Sequence, residues 1–108
     1  MTNDVQEILK KIKVLVCSEG KYRLSRHASD YIDQNLSSRP DIEHCIRYAK
    51  TISGIEKDTK GVSVDGFKYT IKGASRCGTA FYTTGLIIES EDGEIYFFIT
   101  AHEIKEEK

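Results

Sequence analysis

The sequence predicts an α+β domain, with three N-terminal helices followed by a three- to four-stranded antiparallel sheet. Two observations carry this. Apolar residues recur at helical spacing as far as Ala49, then alternate in steps of two from Val62 onward. The punctuation changes with them, from helix-capping residues to the Asp-Gly pairs 65–66 and 92–93 that turn hairpins. A length of 108 residues suits one domain over 1–108. Such a domain buries about 65% of its unfolded surface in a single core.

The first helix is expected over residues 4–18. Val5, Ile8, Leu9, Ile12, Leu15 and Val16 form one apolar stripe, and Lys10, Lys11 and Lys13 lie opposite. Asn3 and Gln6 have the spacing of a capping box, and Gly20 suits a left-handed stop. Tyr22–Leu24 reads as a short extended piece. A second helix starts at Ser25, with Ala28, Tyr31 and Ile32 inward. Ser38 caps a third helix, Pro40 and Asp41 fit its first turn, and Ile42, Cys45, Ile46 and Ala49 form its stripe.

Val62–Val64, Asp65-Gly66 and Phe67–Lys72 then read as a tight hairpin. In it Phe67, Tyr69 and Ile71 share one face, and Lys68, Thr70 and Lys72 the other. Residues 73–78 form a loop. Thr79–Glu89 is a strand with a bulge at Gly85, and Glu94–His102 is an apolar strand central to the sheet. The tail 104–108 is expected to fray. Val5, Ile8, Leu9, Ile12, Ile42, Ile46, Phe97 and Ile99 are expected in the core.

Three widely spaced cysteines, Cys17, Cys45 and Cys77, form neither a disulfide framework nor a metal motif. No metal or cofactor is expected, nor a membrane span or signal peptide, so cytoplasmic residence is the default. The formal net charge is −1, but the charge is unevenly spread. Glu89, Glu91, Asp92 and Glu94 gather at a hairpin tip, and Glu103, Glu106 and Glu107 in the tail. The stretch from Gly66 to Ile88 holds no acid at all. There Lys68, Lys72 and Arg76 are interleaved with Phe67, Tyr69, Phe81 and Tyr82. Cations mixed with aromatics on a sheet suit an anionic, stackable ligand such as single-stranded RNA.

Metal-free RNA cleavage needs a base for the ribose 2′-hydroxyl, an acid for the leaving 5′-oxygen and cations for the phosphate. His27 and His102 are the acid–base candidates, because histidine titrates near neutrality and both sit at element ends. His102 is expected on the same strand face as Thr100, Phe98 and Tyr96. Tyr82 is the candidate stacking or proton-relay aromatic. Lys68 and Lys72, about 13 Å apart along one strand, Arg76 in the loop after it, and Arg23 and Arg26 beside His27 are candidate RNA-phosphate contacts. The plainer reading leaves these as a solvated strand face and helix start. His44 reads as structural or exposed.

The run Arg23-Leu24-Ser25-Arg26-His27-Ala28, the helix Ile42–Ala49, the strand meander and the ending Ile99-Thr100-Ala101-His102-Glu103 together resemble a known group. It is a small bacterial and archaeal domain-of-unknown-function family with a His-Ala helix start and a Thr-Ala final strand. Its plan is similar to that of the RelE-like and MqsR-like ribonuclease toxins. The resemblance spans roughly residues 5–103. It implies a type II toxin–antitoxin toxin that cleaves mRNA, partnered by an antitoxin of zinc-finger type. RelE-like toxins often use a histidine near the C-terminus, the place that His102 holds here. Two alternatives stand beside it: a non-catalytic module that keeps the fold for RNA or protein contact, and a structural partner that forms a homodimer through its apolar sheet edge.

Overall fold

The computed structural model describes residues 5–34, 39–74, 76, 78–91 and 93–103, and side chains for all of these but 32–34 and 103. Helix α1 (Val5–Lys13) runs on into a π-helical turn, Val14–Ser18. Gly20 ends it at φ +65°, a left-handed conformation that glycine adopts without penalty. Strand β1 (Tyr22–Leu24) follows, then α2 (Arg26–Gln34) and α3 (Arg39–Arg47). Strands β2 (Gly54–Lys57), β3 (Phe67–Ala74), β4 (Ala80–Ser90) and β5 (Gly93–Glu103) complete the chain. The Asn3 and Ser38 caps and the 104–108 tail lie outside the described residues.

The α+β class holds, but the sheet corrects the wholly antiparallel RelE/MqsR-like plan. It has five strands in the order β1-β5-β4-β3-β2. It is mixed, because β1 pairs parallel with β5, Tyr22 opposite Tyr96 and Leu24 opposite Phe98. Three residues were too few to announce a strand by alternation. β1 forms because β5 offers it an edge. The helices therefore do not simply precede the sheet: α2 and α3 lie between its first strand and the rest.

The expected Val62–Val64 hairpin arm is also corrected. The partner of β3 is β2, with Gly54 opposite Thr70 and Lys57 opposite Phe67. Residues 58–66 form a loop built on Asp58. Its carboxylate accepts the backbone N–H groups of Val62 at 2.6 Å, Ser63 at 2.7 Å and Lys60 at 3.2 Å. Those bonds satisfy the donors that a strand would have used.

One face of the sheet carries the core. Tyr69 and Ile71 of β3, Phe81 and Ile87 of β4, and Tyr96 and Phe98 of β5 are buried against Leu9, Ile12, Val16, Ile42, Cys45 and Ile46. At Gly73 the sheet comes so near α3 that a Cβ would stand 2.7 Å from Cys45 O. Val5 and Ile8 are half-buried at the margin. The expected burial of Phe97 and Ile99 is corrected: both are half-buried, and Tyr96 and Phe98 take the core places.

The cause is a bulge at the level of Gly85, where the sequence predicts one, but in β5 and not in β4. Thr84 pairs with Thr100 but Gly85 pairs with Phe98, so Ile99 is an extra residue in β5. One inserted residue reverses the side-chain alternation. Tyr96 and Phe98 therefore face the core, while Thr100 and His102 face away from it. Strict alternation, as expected from sequence, would put all four on one face.

Candidate functional site

On the face opposite the core, three strands contribute one side chain each to a row. Lys72 of β3 lies opposite Tyr82 of β4, which lies opposite His102 of β5. The next row is Thr70, Thr84 and Thr100. At normal strand spacing each row spans about 10 Å. Lys72 is exposed, and Tyr82, His102 and the three threonines are half-buried.

The His102 ring is stacked on Tyr82, with centroids 5.0 Å apart and 22° between planes. Tyr31 of α2 makes an edge contact with the same ring at 5.7 Å. Local sequence explains why α2 is there. β1 ends at Leu24, and Ser25 ties the chain to β5: its N–H donates to Phe98 O at 2.9 Å and its Oγ to Ile99 O at 2.7 Å. The same Oγ accepts the Ala28 N–H at 3.1 Å, so Ser25 is also the cap of α2. The helix then runs beside the half of β5 that β1 leaves uncovered, and Tyr31 reaches His102. Tyr82 is oriented in turn by Thr84, whose Oγ1 donates to the Tyr82 hydroxyl at 3.2 Å.

His27 is exposed in the first turn of α2, four residues before Tyr31. That spacing puts the two on one helix face, so His27 lies on the side of the domain that His102 occupies. Arg26 opens the same helix and is exposed.

The remaining cations are dispersed. Lys68 shares the Lys72 face but pairs with Glu56 across β2 at 3.7 Å. Arg23 pairs in register with Phe97, five residues and about 17 Å along β5 from His102. It lines a surface cleft with Ile88, Glu89, Ser90 and Glu91, at the acidic hairpin tip. Arg76 stands beside α3, with its Nε 2.9 Å and its backbone N 3.3 Å from Asp41 Oδ1. The structure thus sets Lys72, Tyr82 and His102 in one row, with His27 one helical turn from Tyr31 on the same side. It does not bring Arg23 or Arg76 to that face. Among the described residues no three His, Cys, Asp or Glu side chains come together as metal ligands would, and no helix is long and apolar enough to cross a membrane.

A second feature lies at the end of α3. Tyr48 is 63% exposed, more than any other large apolar side chain described. It borders two clefts. One, of about 220 Å³, is lined by Pro40, Glu43, His44, Arg47, Tyr48 and Arg76. The other, of about 350 Å³, includes Tyr48, Lys50 and Lys72 in its lining. His44 is fixed here, not free: its Nδ1–H donates to Ala74 O at 2.9 Å, and its ring lies 4.6 Å from that of Tyr48. Tyr48 had a readable signal. It falls off the Ile42–Ala49 stripe, between Arg47 and Lys50, where an aromatic ring has no core to fill.

The two described thiols offer little chemistry. Burial pushes Cys45 up to about 12. Cys17 is raised as well, chiefly by burial, which its contact with Arg47 only partly opposes. Both are poor nucleophiles near neutrality.

The described fold and face define an α+β domain with a five-stranded mixed sheet, one side of which carries a Lys-Tyr-His row. No family model, no curated protein and no solved structure matches the chain.

Proposed function

We propose that this domain binds single-stranded RNA on the sheet face opposite its core. One observation carries the reading: Lys72, Tyr82 and His102 form a single row, with the His102 ring in contact with both Tyr82 and Tyr31. Rings on a sheet stack bases whatever their sequence, and a neighbouring lysine meets phosphate. The threonine row adds hydroxyls within reach of sugars and base edges. A labelled uridine oligonucleotide titrated with protein tests this. Tyr82→Ala should weaken binding about tenfold, the scale of one lost base stack, and Tyr82→Phe should restore most of it. Unchanged affinity in Tyr82→Ala sinks the reading.

A second reading, metal-independent cleavage by a toxin-like ribonuclease, is favoured by His27 and His102 lying on one side of the domain. One histidine would take the 2′-hydroxyl proton as that oxygen attacks phosphorus. The P–O5′ bond would break, leaving a 2′,3′-cyclic phosphate, and the other histidine would protonate the 5′-oxygen. Lys72 would face the developing phosphate charge. The resemblance noted above adds an antitoxin partner to this reading. Induction in a bacterial host, with growth and bulk mRNA decay followed and His102→Ala as control, separates cleavage from binding. Normal growth and stable mRNA with the unaltered protein would leave the binding module alone.

A further inference from the structure

We propose that Tyr48 and the clefts on either side of it form a second contact for the same RNA strand, which runs from the sheet face past Lys72 to the end of α3. The inference rests on the single-stranded RNA reading above and extends it. Lys72 belongs to both places: it stands in the row with Tyr82 and lines the cleft that Tyr48 borders. Beyond Tyr48 lie Arg47 and Arg76.

The charge there favours a polyanion. Cations line both sides of the exposed ring, Lys50 and Lys72 on one and Arg47 and Arg76 on the other. Arg76 and Asp41 offset one another as an ion pair, and Glu43 keeps its charge while accepting from the Tyr22 hydroxyl at 2.6 Å, so Lys50, Lys72 and Arg47 carry the positive excess. The ring alone would suit many partners. Flanked by cations at intervals, it suits a chain of alternating bases and phosphates.

The platform is also fixed in advance. Lys13 Nζ donates to Ala49 O at 2.8 Å, and Gln6 Nε2 to Lys50 O at 3.2 Å. Tyr48 N–H donates to His44 O at 3.1 Å. Binding would therefore cost little ordering of the backbone beneath the ring.

The test compares labelled oligouridines of about 4 and about 12 nucleotides, the span that single-strand-binding domains cover. Tyr48→Ala should weaken binding of the longer RNA about tenfold and leave the shorter one unchanged. Tyr48→Phe should restore the longer one. Arg47→Gln combined with Lys50→Gln should lower the salt dependence for the longer RNA alone, by about 0.7 in slope per lost contact. If Tyr82→Ala weakens the longer RNA but Tyr48→Ala does not, this inference fails and the sheet-face reading stands. If the unaltered protein binds neither RNA, both fail. If polyglutamate displaces the longer RNA from the unaltered protein and from Tyr48→Ala equally well, the surface serves an acidic polypeptide and the inference is overturned.

Discussion

The imidazole of His102 and the ring of Tyr82 are stacked cross-strand neighbours, 5.0 Å apart, on the side of the sheet that faces away from the core. Neither residue sets that orientation. For His102 it follows from the extra residue in β5 at Ile99, opposite the Thr84–Gly85 step, and for Tyr82 from the alternation of β4 with buried Phe81 and Thr83.

The first prediction concerns that step. A Cβ on Gly85 would stand 2.5 Å from Tyr96 Cε2 and 2.8 Å from Phe97 O. The carbonyl oxygen cannot yield without bending the strand, and Tyr96 is fully buried. Gly85→Ala should cost about 1–3 kcal/mol, read from the urea midpoint. At Gly54 the nearest atom to a new Cβ is Thr70 Cβ at 3.6 Å, an ordinary contact. Gly54→Ala should therefore be neutral or stabilise by up to about 1 kcal/mol.

Core packing gives the second. Leu9 is 2% exposed within the main cluster. Leu9→Ala should cost about 2–5 kcal/mol. A loss below ~1 kcal/mol on the scale of such truncations would mean that α1 is peripheral to the fold.

The third is a pH dependence confined to the 58–66 loop. The N–H of Ser63, then those of Val62 and Lys60, hold the Asp58 carboxyl below its usual range. A depressed carboxyl stabilises fully above its unfolded pKa, about 3.9. That contribution is lost as pH falls through the folded value. Amide-exchange protection at Val62 and Ser63 should therefore be constant above about pH 5 and decline below about pH 4. Asp58→Ala should remove the protection at every pH. Protection that persists in the alanine variant would show that another group organises the loop.

The fourth concerns electrostatics. Lys72 is exposed in the Lys-Tyr-His row, whereas Lys68 is engaged by Glu56 and Arg76 by Asp41. Lys72→Ala should reduce the salt dependence of RNA binding by about 0.7 in slope. Lys68→Ala should change it by less, because its partner already offsets part of its charge. Equal effects from the two would show that the Glu56 pair opens on binding.

Much of this architecture is written locally, in patterns that need no distant partner. The α1 stripe, the Gly20 stop, the α2 start at Ser25 and the Lys68/Tyr69 alternation of β3 each follow from spacing, capping or backbone freedom, and Gly85 marks the level of the bulge but not its strand. The candidate row was half legible. Lys72, Tyr82 and His102 could be chosen by residue type, and the sheet alone made them neighbours. Tertiary structure decided three further things. β1 became a parallel edge strand because β5 had an unpaired side to offer. Arg76 left the lysine face because Asp41, 35 residues earlier, gave it a carboxylate. The faces of Tyr96 and His102 were separated because strand pairing placed the extra residue of the bulge between them. Sequence fixes which residue types alternate. Register, which depends on a partner strand, fixes the side of the sheet on which each one lands.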